Sequence, residues 1–190
     1  DTLLCTSALT DAPSNVCRTG LAALAELVLS LLELAESLGT TAIVTSSTRG
    51  WVEKTAVRFL PKLRRYMARI PVIYAQEEFS QLFPNDSLQW KLQTFLELQR
   101  LNASSVTNIV VIGDSQDEMR ASSMLGEKWP GILVKQVKLS EQPSLVELMR
   151  QLWRLKAELR TLVEADESKK VELLPRPTDI RQTSESSFSI

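Results

Sequence analysis

The sequence predicts an α/β fold with a doubly wound, mostly parallel sheet, and three observations lead there. Short β-branched runs alternate with amphipathic helical segments along the chain. Each interval between runs is long enough to hold a crossover helix, which favours parallel βαβ units. The run Ile109-Val110-Val111-Ile112 stops at Gly113 and is followed at once by Asp114. A buried strand that delivers a polar residue to its C-terminal edge has this form, and ligands bind at that edge in open α/β sheets.

Residues 20–38 form the first predicted helix, closed by Gly39 at a natural C′ position. Apolar residues cover most of its faces, while Glu26 and Glu33 mark one polar stripe. Acidic residues near the centre of a membrane span cost about 2.5–3.5 kcal/mol each. Burial against a sheet is therefore the expectation. Residues 41–45 read as a short strand and 46–49 as its exit loop. Residues 50–67 follow a helical pattern that Pro61 kinks or divides. A second strand is predicted over 71–74, a helix over 88–98, a strand over 108–112 and a helix over 117–125. A further strand over 131–137 precedes a long C-terminal helix over 144–164, whose leucines recur every three or four positions. Beyond Ala165 the chain turns rich in Ser, Thr, Glu, Lys and Pro. The predicted organisation is one α/β domain over 1–165 and a disordered tail over 166–190. The Ser-rich end of that tail is either a phosphorylation target or a soluble linker.

Composition narrows the chemistry. The 190 residues carry a net charge of −1, so no global field signals nucleic acid or an anionic membrane. Cys5 and Cys17 are too few for a disulfide scaffold or a structural zinc site, and a reduced intracellular, cytoplasmic setting is expected. No charged leader with a small-residue cleavage site precedes the first helix. Histidine is absent, which removes Ser-His-Asp and Cys-His catalysis together. What remains is carboxylates, hydroxyls, lysine and arginine.

Those groups gather at predicted strand ends. Asp114 and Glu118 lie four apart after the strand over 108–112, with no Cys or His nearby. Such a pair favours a hard, oxygen-seeking ion such as Mg²⁺. The plainer alternative makes Asp114 the cap of the next helix and leaves Glu118 in solvent on its first turn. Strand 41–45 ends in the hydroxyls Thr45, Ser46 and Ser47, Lys91 opens a later helix, and the chain begins Asp1-Thr2. An acid, a hydroxyl, a lysine and two carboxylates on separate βα units would suit an anion-handling metal site.

In this order the residues resemble the haloacid dehalogenase-like superfamily. Its motifs are Asp-x-Asp-x-Thr, then a Thr or Ser, then a Lys, then Gly-Asp with an acid four residues after that Asp. Thr45 matches the second motif, Lys91 the third, and Gly113-Asp114 with Glu118 the fourth. The runs Val44-Thr45-Ser46, Gly50-Trp51-Val52-Glu53 and Leu88-Gln89-Trp90-Lys91 are also similar to a group of such proteins from unicellular eukaryotes. The resemblance covers roughly residues 1–140. It implies a Rossmann-like core and an Mg²⁺-dependent phosphohydrolase working through an aspartyl-phosphate. Asp114 and Glu118 would serve the metal, and Thr45 and Lys91 the phosphoryl group.

The first motif departs from the pattern. If Thr2 is its threonine, the nucleophile and the acid/base aspartate lie upstream of Asp1, and the first, central strand is missing as well. The chain then reads as an N-terminally truncated sequence. The rival alignment makes Asp1 the nucleophile but puts Leu3 where the acid/base aspartate belongs. Helix 20–38 uses most of the interval before Thr45, and helix, strand and helix use the interval before Lys91. No cap domain fits, so the resemblance implies an open site acting on a phosphorylated substrate, macromolecular or enclosed by a partner. Residues 5–19 serve either as a small flap or as a plain connection. Lys54, Arg58, Lys62, Arg64, Arg65 and Arg69 give helix 50–67 a basic side, either a solvated face or a contact for an acidic partner. The second functional class is a catalytically inactive domain that binds through this basic helix or the tail.

Overall fold

A computed structural model describes residues 2–5, 15–59, 61, 63, 66, 68–102 and 106–173, excepting the side chains of 15–18. Helix α1 spans Asn15–Leu38, strand β1 Ile43–Thr45, helix α2 Arg49–Phe59 and strand β2 Val72–Tyr74. Helices α3 (Ala75–Phe79) and α4 (Ser87–Leu101) lead to strand β3 (Asn108–Gly113). Then come α5 (Gln116–Lys128), β4 (Leu133–Lys138), α6 (Leu145–Glu164) and β5 (Lys169–Glu172).

All strand pairs are parallel, as the helix-bearing connections require. They form two separate sheets, β1-β2 and β3-β4-β5. The β3–β4 register runs from Asn108 opposite Leu133 to Gly113 opposite Lys138. Helices cover both faces of this pair. On one face α1 and α6 pack together over Val110, Ile112 and Val137, burying Leu24, Val28, Leu148 and Leu152. On the other, α4 and α5 bury Leu92, Leu125 and Met119 against Val111. Leu148 is fully enclosed at the α1–α6 contact. Leu148→Ala is expected to cost about 2–5 kcal/mol by leaving a cavity there, read from urea denaturation midpoints.

The fold differs from the sequence reading in three places. Helix α1 begins at Asn15, ahead of the expected residue 20. The pattern over 50–67 agrees with the interruption expected at Pro61: α2 ends at Phe59, and Pro61, Leu63 and Tyr66 beyond it are helical. Proline lacks an N–H and clashes with the preceding turn, which explains the break. The five-residue α3 is too short to show a helical period. Residues 169–172, placed in the tail by the sequence reading, form β5, which pairs with β4 from Lys169 opposite Lys135 to Glu172 opposite Lys138. Leu173 is then buried in the main core. The tail's hydroxyls at 183–189 lie outside the described residues, as do 6–14 of the flap segment.

Strand β4 buries Lys135, Gln136 and Lys138, an unusual load for an inner strand, and each has partners. Lys135 Nζ donates to the Val163 carbonyl at 2.6 Å, in the last turn of α6, where a cation is favoured by the helix dipole. Burial pushes its ammonium below the ordinary lysine range. Gln136 Nε2 donates to the Met119 carbonyl and to the hydroxyls of Ser122 and Ser123. No helix among the described residues is long and apolar enough to cross a membrane.

Candidate functional site

The site lies at the C-terminal edges of β1 and β3, where both strands hand over to polar loops. Strand β1 ends at Thr45, whose Oγ1 accepts from the Ser47 N–H at 3.0 Å. In that turn the hydroxyl acts as acceptor and keeps its own proton to donate. Strand β3 ends at Gly113, and Asp114 follows with its carboxylate accepting from the Thr2 hydroxyl at 2.7 Å. Burial raises the Asp114 pKa, but the hydrogen bond from Thr2 together with the positive charge of the chain's amino terminus outweighs it and holds the carboxyl below its ordinary value of 3.8. A carboxyl held down this way adds stability above the ordinary carboxylate range, and loses it as pH falls through the lowered value.

Lys91 comes from the first turns of α4 and is buried. Its Nζ donates to the Val44 carbonyl at 3.1 Å and to Glu118 Oε1 at 2.8 Å. An ammonium has three protons, so one remains for a third acceptor. The side chains of this ion pair are only 6% and 14% exposed. Buried charges persist only when paired and hydrogen-bonded, and both are here. Helix α5 fixes the pair's acidic member. Ser115 is its N-cap and forms a capping box with Glu118, whose Oε2 accepts from the Ser115 N–H.

This corrects both parts of the plainer sequence alternative. The cap is Ser115 and not Asp114, and Glu118 points inward to Lys91 instead of into solvent. The Ser-x-x-Glu signature at 115–118 was visible in the chain; the partner 27 positions away was not. Gly113 makes this geometry possible. A Cβ there would lie 1.9 Å from Glu118 Oε2 and 2.7 Å from its Cδ. Glu118 is held at both oxygens and has no room to yield, so Gly113→Ala is expected to cost about 1–3 kcal/mol, read by thermal unfolding.

The structure brings Thr2, Thr45, Lys91, Asp114 and Glu118 onto one cavity of about 1170 Å³. Asp1, the nucleophile of the rival alignment, lies outside the described residues. Three further groups were missed in the sequence. Ser87 donates to Asp117 at the rim. Lys138, level with Gly113 on β4, donates to the Asp114 carbonyl and to that of Leu139. Glu141 pairs with Lys138 at 3.1 Å. Lys138 adds positive charge behind the aspartate, a contribution hidden in sequence because it depends on strand register. Of the basic residues of 50–67 and beyond, Lys54, Arg58 and Arg69 are exposed, while Lys62, Arg64 and Arg65 lie outside the described residues. Trp90 is buried with its Nε1 donating to the Phe83 carbonyl at 2.7 Å, whereas Trp51 and Trp153 are exposed.

For a divalent ion the donor set is lean. No group of three or more Asp, Glu, Cys or His suited to a metal occurs among the described residues. Both oxygens of Glu118 are engaged by Lys91 and Ser115, and Asp114 accepts from the Thr2 hydroxyl, so an ion held directly by Asp114 would share that carboxylate with its present partners. One or two carboxylates completed by water and phosphate oxygens is the way Mg²⁺ is commonly held, so the residues fit a site shared with an anionic substrate. Comparison with family models, with curated proteins and with solved structures returned no match to this chain.

Proposed function

We propose that the intact parent of this chain is an Mg²⁺-dependent phosphohydrolase with a haloacid dehalogenase-like core and an uncapped site. The observation that carries this reading is the convergence of Asp114, Lys91, Glu118 and Thr45 from separate elements on one polar edge. An ionised carboxylate, a buried ammonium with a remaining proton and a hydroxyl donor are the groups that phosphoryl transfer uses. Mg²⁺ would neutralise charge on the phosphoryl oxygens. Asp114 would hold the ion, the Thr45 hydroxyl would donate to one phosphoryl oxygen, and the third proton of Lys91 would serve another. Glu118 would position Lys91, with its carboxylate too engaged to do more. The nucleophilic aspartate and the acid/base aspartate would lie upstream of Asp1. The first would attack phosphorus and expel the alcohol, to which the second gives a proton; water would then cleave the aspartyl-phosphate to orthophosphate. A site without a cap suits a phosphorylated macromolecule, or a substrate that a partner helps to cover.

The test is hydrolysis of a generic aryl phosphate by the protein with its upstream segment restored. Turnover should require Mg²⁺ and vanish with a chelator. Hydrolysis indifferent to the chelator, or none at all from a folded protein, would reject the proposal.

A further inference from the structure

Helices α1 and α6 lie side by side over one face of the sheet, and their outer faces carry opposite charge. The two helices run in the same sense. A Cβ on Gly20, near the start of α1, would lie 2.6 Å from the Leu145 side chain, which opens α6. Towards their ends, Leu31 and Leu38 of α1 line the same cavity as Leu152 and Val163 of α6. From Gly20 to Leu38, α1 holds the acids Glu26, Glu33 and Glu36 and no Lys or Arg. All three acids are exposed, and Glu26 and Glu33, seven apart, fall on one stripe. Helix α6 reverses the sign. From Arg150 to Arg160 it carries four cations against the single acid Glu158. Arg150 and Arg154 are exposed there beside Trp153 and Val146, which are 59% and 57% exposed.

A partner of one sign does not fit this surface. An anionic membrane or a nucleic acid drawn to Arg150 and Arg154 would be repelled by Glu26 and Glu33 alongside. A partner bearing the same two ridges in reverse order satisfies both, and a two-fold axis along the helices supplies one. With Gly20 level with Leu145, that axis brings Glu26 of one copy level with the turn between Arg150 and Arg154 of the other. Glu33 then comes level with the turn that follows Arg154. Trp153 lies between these positions, and the Lys156 ammonium 5.5 Å from its ring centroid favours one orientation of the indole. Exposed tryptophan beside arginine is the composition that dominates binding energy at interfaces. The size is also sufficient. Helix α6 is about 30 Å long and two packed helices are about 20 Å across, so each copy offers roughly 600 Å². A total of roughly 1,200 Å² reaches the range of stable interfaces.

We propose that two copies of this chain pair through the outer faces of α1 and α6, with α1 of each copy lying parallel to α6 of the other. Trp153 fills the centre of the contact, and Glu26 and Glu33 meet Arg150 and Arg154 on either side of the axis. None of these side chains lines the site cavity, so the pairing is independent of the phosphohydrolase reading. It leaves both candidate sites opening towards the same end of the dimer.

Sedimentation equilibrium of the 190-residue chain at micromolar concentration tests this. The wild type should have twice the chain mass. Glu26→Arg with Glu33→Arg should be monomeric, and so should Arg150→Glu with Arg154→Glu, because like charges then face each other. An equimolar mixture of these two variants should be dimeric again, since each presents the sign that the other lacks. Trp153→Ala should raise the dimer Kd at least about 30-fold. That truncation of an exposed side chain keeps the test decisive if a reversed variant fails to fold, which circular dichroism shows. A monomeric or higher-order wild type overturns the proposal. So does a dimer that survives either charge reversal, a Kd that Trp153→Ala leaves unchanged, or a mixture of folded variants that stays monomeric. Mass is read without substrate, so failure of the pairing leaves the phosphohydrolase reading standing, and the reverse also holds.

Discussion

Lys91→Met should lower stability by about 3–5 kcal/mol, because it strands the Glu118 carboxylate in a site where the pair is almost fully enclosed. For a chain of this size that corresponds to a fall in Tm of roughly 10 °C. The loss comes from an uncompensated charge and not from the attraction itself. Adding Glu118→Gln to Lys91→Met should therefore recover a large part of it, since the amide keeps an acceptor for the Ser115 N–H without the charge. The exposed pairs Arg154–Glu158 and Arg160–Glu164 make the internal comparison. Arg160→Ala should change stability by at most about 0.5 kcal/mol, as solvent and side-chain entropy offset most of a surface ion pair. Denaturant titration of the four proteins separates these cases. A Lys91→Met effect no larger than that of Arg160→Ala would show that the buried pair does not hold α4 to α5.

Much of the frame was legible in the sequence because it depends on local pattern. The β-branched run ending at Gly113, and the leucine spacing of α6, need no partner to be recognised. Ser115 and Glu118 were likewise readable as a capping signature, although Asp114 stands next to them and competes for the same role. What could not be read depends on contacts distant in sequence. Strand β5 has the pattern Lys-Lys-Val-Glu, which looks like tail, and it becomes a strand because β4 offers an edge and Leu173 a buried seat. The buried lysines of β4 would count against an inner strand on composition alone; their partners are the helix carbonyl of Val163, the loop carbonyls of Asp114 and Leu139, and the Glu141 carboxylate. The same limit applied at the site. Lys91 and Glu118 were each named from motif order, but their ion pair, and so the positioning role of Glu118, follows only from the packing of α4 on α5.

Asp114 carries the largest expected effect on activity. If it holds the ion that neutralises the phosphoryl oxygens, Asp114→Ala removes the carboxylate that binds it, and Glu118, engaged at both oxygens, does not replace it. Loss of one group stabilising charge in a transition state typically costs 10²–10³ in rate, and loss of a metal as well should place the effect at or above about 10³-fold. The aspartate is also tied to Thr2, so a stability readout must accompany the kinetics. Asp114→Asn preserves an acceptor for that hydroxyl and isolates the charge. The decisive measurement is Mg²⁺-dependent aryl phosphate hydrolysis by the upstream-restored protein, compared with its Asp114→Asn variant at equal folded concentration. Site chemistry built on Asp114 predicts a loss of about 10³-fold that added Mg²⁺ does not rescue. Full activity in the variant would contradict it.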